Sequence, residues 1–228
     1  MAYILHIDTA TDNSLVALSH DGQLLSVIEN NGQRNHASFI NNHIDEVLKA
    51  ADITLQQLSA IALCGGPGSY TGLRIGLATA KGICYALHIP LMMHSRLLLL
   101  ILKEFYNNSS EYDFFGGILT AREKEHFFSL YNNKLEIVVP PTHFTEDELT
   151  NVKQKHIGKI LLAGDITDVI NNLFQSDVTG FYNKNVVDAT SWASYAFQQF
   201  NCNSFVNLPT AEPYYLKQVY THNSKKNN

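Results

Sequence analysis

YILHIDTATDNSLVALSHDGQLLSVI, residues 3–28, reads as a three-stranded meander: an apolar run, a polar turn, a second strand, then the hairpin signal Asp21-Gly22 leading into a third. FFGGILTAREKEHFFSLYNNKLEIVV, residues 114–139, repeats that order of strand, polar turn, strand, Asn-rich turn and strand. Sliding one onto the other sets Val16 on Phe128, Leu18 on Leu130 and Asp21-Gly22 on Asn133-Lys134, the self-similarity of an internal duplication.

Helices and short strands follow each meander. In the first half, Phe39, Ile40, Ile44, Val47 and Leu48 recur at helical spacing across 35–51, so this segment is the first amphipathic helix. A buried strand at 58–64, a glycine-rich turn, a helix at 71–87 and a short strand at 90–93 come next. The second half gives a loop around Pro140-Pro141, a helix at 146–155, a strand at 159–163, and helices at 166–174 and 189–200. The expectation is an α/β protein of two tandem domains, 1–104 and 105–220, each on a mixed sheet, with a disordered tail at 221–228. Actin and the sugar kinases share that plan. In it the turn after the first strand of each half points into the cleft between the halves, which makes Asp8-Thr9 and Thr120-Ala121 the cleft candidates.

Composition narrows the function classes. Hydrophobic residues at 45% against 16% charged describe a globular chain with enough apolar surface to offset the entropy of ordering it. A formal charge of −5 offers no overall attraction for a phosphate backbone, so work on a nucleic acid would rely on a partner for its grip. The opening residues form a strand and not a secretion leader. Leu97 to Leu102, flanked by Arg96 and Lys103, is far short of the roughly 20 apolar residues that span a bilayer. Cys64, Cys84 and Cys202 are odd in number and widely spaced, which matches neither a disulfide framework nor a zinc site and points to a reducing cytoplasm.

CGGPGSYTGLRIGLATAKG, residues 64–82, is the most specific segment. Gly65, Gly66, Pro67 and Gly68 turn a strand sharply into a helix that Ser69 or Thr71 caps. Its free N–H groups are either an anion site or the start of an ordinary capped helix. A nucleotide P-loop does not fit, because Lys81 sits inside the helix and no Lys-Ser or Lys-Thr pair closes the turn. Within the helix, Gly72, Gly76 and Ala80 are four apart and make one narrow face that lets another element approach closely. That element lies either in the same domain or in another molecule.

These residues carry a resemblance. GPGSYTGLRIG, with YILHIDTATDNSLVAL, GQRNHASFI, TAREKEHFFSLY, LLAGD and the late AEPYYLKQ, resembles the TsaB (YeaZ) family in order across nearly the whole chain. The resemblance implies an actin-like (ASKHA, ribonuclease H-like) fold and a non-catalytic part in making threonylcarbamoyladenosine in tRNA. The partners it implies are the catalytic sister TsaD and the ATPase TsaE, with tRNA engaged through the complex and a homodimer formed in isolation. The family's partner face is a bundle of its first two helices. Carried over, it comprises His36, Phe39, Ile40 and His43 on one helix, and Gly72, Leu73, Arg74, Gly76, Leu77 and Ala80 on the other. On that reading Gly76→Leu abolishes association and leaves the monomer folded.

No chemistry of the chain's own is expected, and no cofactor. Where the sister enzyme has a His-x-x-x-His pair, this chain has His94 with Leu98 and Leu100 after it, too few donors for a catalytic metal. His36 and His43 are about 10 Å apart along a helix, too far for one ion. Asp8, Thr9, Gly68 and Ser69 are the weak candidates for a nucleotide's phosphates, and the residues favour Asp8 as a cap on its own turn. Two departures from the family, Thr120-Ala121-Arg122 and Gly164-Asp165-Ile166, argue against a nucleotide or metal in the cleft. A weak ATPase or sugar kinase and a stand-alone homodimeric binding module are the alternatives. Ser69 has no identifiable His and Asp partners for a protease triad.

Overall fold

The computed structural model describes residues 1–30, 36–175 and 179–216. The expected tail at 221–228 lies outside these residues. The first meander is β1 (Tyr3–Asp8), β2 (Ser14–His20) and β3 (Gln23–Asn30), followed by α1 (His36–Ala50), β4 (Leu58–Gly66), α2 (Tyr70–Leu87), β5 (Leu91–Ser95) and α3 (Arg96–Asn108). The second is β6 (Phe114–Arg122), β7 (Glu125–Asn132) and β8 (Ile137–Thr145), followed by α4 (Glu146–Lys155), β9 (Ile160–Gly164), α5 (Asp168–Phe174), β10 (Thr179–Tyr182) and α6 (Ala189–Asn201).

The two sheets have one topology. Strand order is β3-β2-β1-β4-β5 in the first and β8-β7-β6-β9-β10 in the second, antiparallel through each meander and parallel beyond it. Val16 and Leu18 lie in β2 and Phe128 and Leu130 in β7, so the residues that the duplication superimposes share the middle strand of each meander, with the pairing to the first strand shifted by one residue: Val16 faces Ile7 and Phe128 faces Ile118. Asp21 and Gly22 both have positive φ, 49° and 82°, as a tight hairpin requires. This duplicated, mixed-sheet arrangement is the actin-like fold.

Packing forms five layers. One face of the first sheet buries Ile40, Ile44 and Val47 of α1 with Leu77 and Ala80 of α2. One face of the second buries Leu149 of α4 with Ile170 and Phe174 of α5. Between the sheets lie α3 and α6, and they are exchanged: α3 packs chiefly on β6 and β9 of the second sheet, and α6 on β1, β2 and β3 of the first. Position 104/105, expected to separate the halves, therefore lies inside a helix that ties them together. This placement explains the all-apolar run: every residue from Leu97 to Leu102 is buried, because the first turns of α3 are enclosed on all sides between the two sheets, and exposure begins at Lys103.

One reading of the second half needs correction. Pro140 and Pro141, expected in a loop, lie within β8. That strand is the edge of its sheet, where a residue without an N–H is tolerated because only one side of the strand pairs. The short strand β10 had no sequence signal strong enough to be predicted. Among the described residues, no helix is long and apolar enough to cross a membrane.

Candidate functional site

The turn after β1 and the glycine turn after β4 are stitched together. Ser69 caps α2 as expected, accepting the Gly72 N–H at 3.2 Å, and its own N–H donates to Ala10 O at 2.6 Å. Thr9 Oγ1 donates to Gly72 O at 2.7 Å. Two of the N–H groups that would cradle an anion are thus already in use, although Gly68 and Ser69 are themselves exposed.

Asp8 does cap its turn, taking the Ala10 N–H on Oδ1 at 2.8 Å. Its other oxygen is held by Arg96, which opens α3, in an ion pair whose two side chains are each 3% exposed. Arg96 Nη2 in turn donates to Asn185 O at 3.3 Å and Asn185 Oδ1 at 3.2 Å, joining the first strand to the segment before α6. Both carboxylate oxygens are therefore engaged by the chain itself, and a buried cation stands beside the carboxylate. The Cys64 thiol alongside is pushed far above its usual range by burial and by the Asp8 carboxylate. Sequence reasoning missed Arg96 because 88 residues separate it from Asp8 and nothing local links them.

The second half closes its corresponding turn in its own way. The Thr120 N–H donates to Asp165 Oδ2 at 2.9 Å, and the Asp165 N–H donates to Ile118 O at 3.0 Å. Among the described residues, no group of three or more His, Cys, Asp and Glu is placed to hold a metal ion.

His94 is part of the core: Trp192 Nε1–H donates to its Nδ1 at 2.8 Å, and burial lowers its pKa to about 4. His6, hydrogen-bonded to Ser19 Oγ at 2.8 Å, is lowered to about 3 by burial and by His94. Both rings are neutral in the folded chain and ionise near 6.5 once it unfolds, so the unfolded state binds more protons below that pH. Stability is therefore expected to fall as pH drops from about 6.5 toward 4, with each histidine removing on the order of 2 kcal/mol by pH 5. Urea denaturation at pH 7 and pH 5 measures this; an unchanged midpoint contradicts it, and His94→Gln should flatten the dependence.

The expected partner face divides into a buried and an exposed part. Ile40, Gly72, Leu73, Gly76, Leu77 and Ala80 are all buried within their own subunit. A Cβ on Gly72 would lie 2.0 Å from Thr9 O, and one on Gly76 would lie 2.3 Å from Thr9 Oγ1 and 3.3 Å from Leu63 Cδ1. The narrow face of α2 thus serves close approach to β1 and β4, and the expectation that it docks a foreign helix is corrected. The cause is topological: α2 connects two parallel strands and must lie back across its own sheet.

Phe39 and His43 are half-buried and stack one turn apart on α1, ring centroids 6.0 Å from each other. His36 is in the first turn of α1. Arg74 is exposed; its guanidinium lies 4.2 Å over the Tyr70 ring, and its Nε donates to Tyr215 OH at 3.1 Å. The side of α2 turned to solvent carries Arg74, Ala78, Gly82 and Tyr85; Tyr85 is 77% exposed, and a Cβ on Gly82 would meet nothing within 4 Å. Its signal was available in the sequence, as the four-residue spacing of Arg74, Ala78 and Gly82 opposite the glycine face.

Comparison with known proteins gives a consistent assignment. The family model for TsaD, tRNA N6-adenosine threonylcarbamoyltransferase, matches residues 24–227. The chain is 31% identical over 167 residues to the tRNA threonylcarbamoyladenosine biosynthesis protein TsaB of Bacillus subtilis, covering 71% of each. It is 32% identical over 126 residues to the protein of that name from Haemophilus influenzae, covering 55% of this chain and spanning only about half, 52%, of the relative. YeaZ from Pseudomonas aeruginosa superposes with a TM-score of 0.79 at 22% identity over 95% of this chain and all of that one, which establishes the shared fold. By sequence, the chain belongs to the TsaB (YeaZ) family, within the wider group that the TsaD model describes.

Proposed function

We propose that the chain is a non-catalytic subunit of the cytoplasmic system that makes threonylcarbamoyladenosine in tRNA, acting as a scaffold for a TsaD-like catalytic subunit together with a TsaE-like ATPase. One observation carries the non-catalytic reading: the cleft carboxylate, Asp8, is neutralised by the chain's own Arg96 and Ala10 N–H. A carboxylate with both oxygens so engaged is poorly placed to hold a cation or orient a phosphate.

The surface assigned to TsaD is the outer side of the α1–α2 layer. It keeps Phe39, His43 and Arg74 of the face first expected and adds Ala78, Gly82 and Tyr85 in place of the buried residues; the His36 side chain lies outside what the structure describes. An exposed tyrosine beside small residues on a rigid helix is the kind of anchor that interfaces concentrate. The same surface is assigned to the homodimer formed in isolation, so TsaD and a second copy compete for it. With a formal charge of −5, tRNA is engaged through the complex.

Gly82→Arg tests the assignment, because it puts bulk and charge where a Cβ meets nothing within 4 Å. The isolated variant is expected to be as stable as the parent or gain about 0.5–1 kcal/mol from losing a mid-helix glycine. Light scattering of the variant mixed with TsaD should show no complex, and tRNA modification by the reconstituted system should fall to the level without this subunit. A folded variant that still associates and supports modification would refute the surface, and modification that needs no such subunit would refute the function.

A further inference from the structure

A cavity of about 450 Å³ lies beside β5 and among α3, α6, the β7–β8 hairpin and the returning segment 204–216. The proposed function makes no use of it. Its wall is largely aromatic and aliphatic, with the rings of Tyr131, Tyr195 and Tyr214 contributed from three separate parts of the chain. Tyr214 is fixed at both ends, its N–H donating to Gly65 O at 2.8 Å and its OH to Met93 O at 3.1 Å. Among the described residues, no Asp, Glu, Lys or Arg contributes to the lining.

Two polar groups in this wall have unused hydrogen-bonding capacity. The Ser95 hydroxyl is buried, its residue 8% exposed; it faces the Tyr131 hydroxyl but makes no hydrogen bond of ordinary length among the described residues. It also occupies the N-cap position of α3 without making the capping bond, so it is not spent on the helix. In His94, Nδ1 accepts the Trp192 N–H, which leaves the proton of the neutral ring on Nε2. That N–H has no partner among the described residues. An unpartnered hydroxyl at this depth costs free energy, and a ligand atom that pairs with it recovers the loss. Concave, mainly apolar cavities of about 300–1,000 Å³ with a few convergent polar groups are the form that small-molecule sites take.

We propose that this cavity is a binding site for a small, uncharged, planar aromatic molecule whose polar edge, an amide or a ring heteroatom, pairs with the Ser95 hydroxyl and the His94 Nε2–H. Neutrality follows from the lining: a carboxylate or ammonium group would be taken out of water with no opposite charge to meet it. Planarity follows from the three tyrosine rings, which offer stacking and edge contacts to a flat ligand.

Trp192 reports on the site, since it is the chain's single tryptophan and its indole N–H is bonded to His94. The probe is benzamide, titrated into the full chain and followed by Trp192 emission and by saturation-transfer NMR of the probe. A saturable response is expected with a dissociation constant on the order of 1 mM or tighter, as a ligand of about nine non-hydrogen atoms attains. Benzoate, of the same shape but charged, should bind at least about tenfold more weakly. Ser95→Ala should weaken benzamide about three- to tenfold, the worth of one hydrogen bond. Gln199→Phe, which fills the cavity from α6, should abolish binding with the unliganded Trp192 spectrum retained. If that variant does not fold, Ser204→Phe at the exposed end of the lining decides the matter in its place. Absence of a saturable response, equal binding of benzoate, or undiminished binding in the folded filled variant overturns the proposal.

Discussion

Asp8→Ala is expected to destabilise the chain by roughly 3–5 kcal/mol, because it leaves the Arg96 guanidinium buried without its counter-charge. The loss exceeds what removing a turn cap costs, about 1 kcal/mol, so the size of the effect separates the two roles of this carboxylate. Arg96→Met added to Asp8→Ala should restore most of the stability, since an apolar side chain of similar length removes the charge that had no partner. Urea denaturation of the parent, both single variants and the double variant completes the cycle. If Asp8→Ala stays within about 1 kcal/mol of the parent, the ion pair is not what holds this turn.

The second large effect concerns the glycine face. Gly72→Ala puts a methyl group 2.0 Å from Thr9 O, a backbone atom that cannot rotate away, so either β1's turn or the start of α2 has to move. A cost of at least about 3 kcal/mol is expected, at the upper end for overpacking, with a fall in melting temperature of about 6–12 °C. Gly76→Leu should behave in the same way and yield an unstable chain, in place of the folded, dissociated monomer that an exposed seam would give. Thermal denaturation beside Gly82→Ala, which has open space around it, supplies the control. A Gly72→Ala chain as stable as the parent would return the narrow face to the surface.

Much of the architecture was legible because the duplication is local and periodic. The meanders, their hairpin turns, α4 and α6 follow from alternation, from Asp21-Gly22 and from helical spacing. Pro140 and Pro141 misled because the rule against proline in strands is a rule about paired N–H groups, and an edge strand leaves half of them unpaired. The site was harder to read. Ser69 as a cap and Asp8 as a turn partner are short-range and were foreseen. The partner of Asp8 was not, because an ion pair across 88 residues exists only where β1, β4 and β5 lie side by side in one sheet. The glycine face shows the remaining ambiguity: small residues at four-residue spacing announce a close neighbour without saying whose it is. Only the position of Thr9 against Gly72 and Gly76 decides between the two.

The exchange of α3 and α6 has a consequence for how the molecule comes apart. Each repeat lends its last helix to the other's sheet, and one continuous core holds Met92, Leu99, Phe115 and Trp192 together. Neither repeat can therefore melt while its twin stays intact, and calorimetry should record a single transition with equal calorimetric and van't Hoff enthalpies. The same reciprocal lending rivets the two sheets into one body, since neither can turn against the other without tearing this shared core.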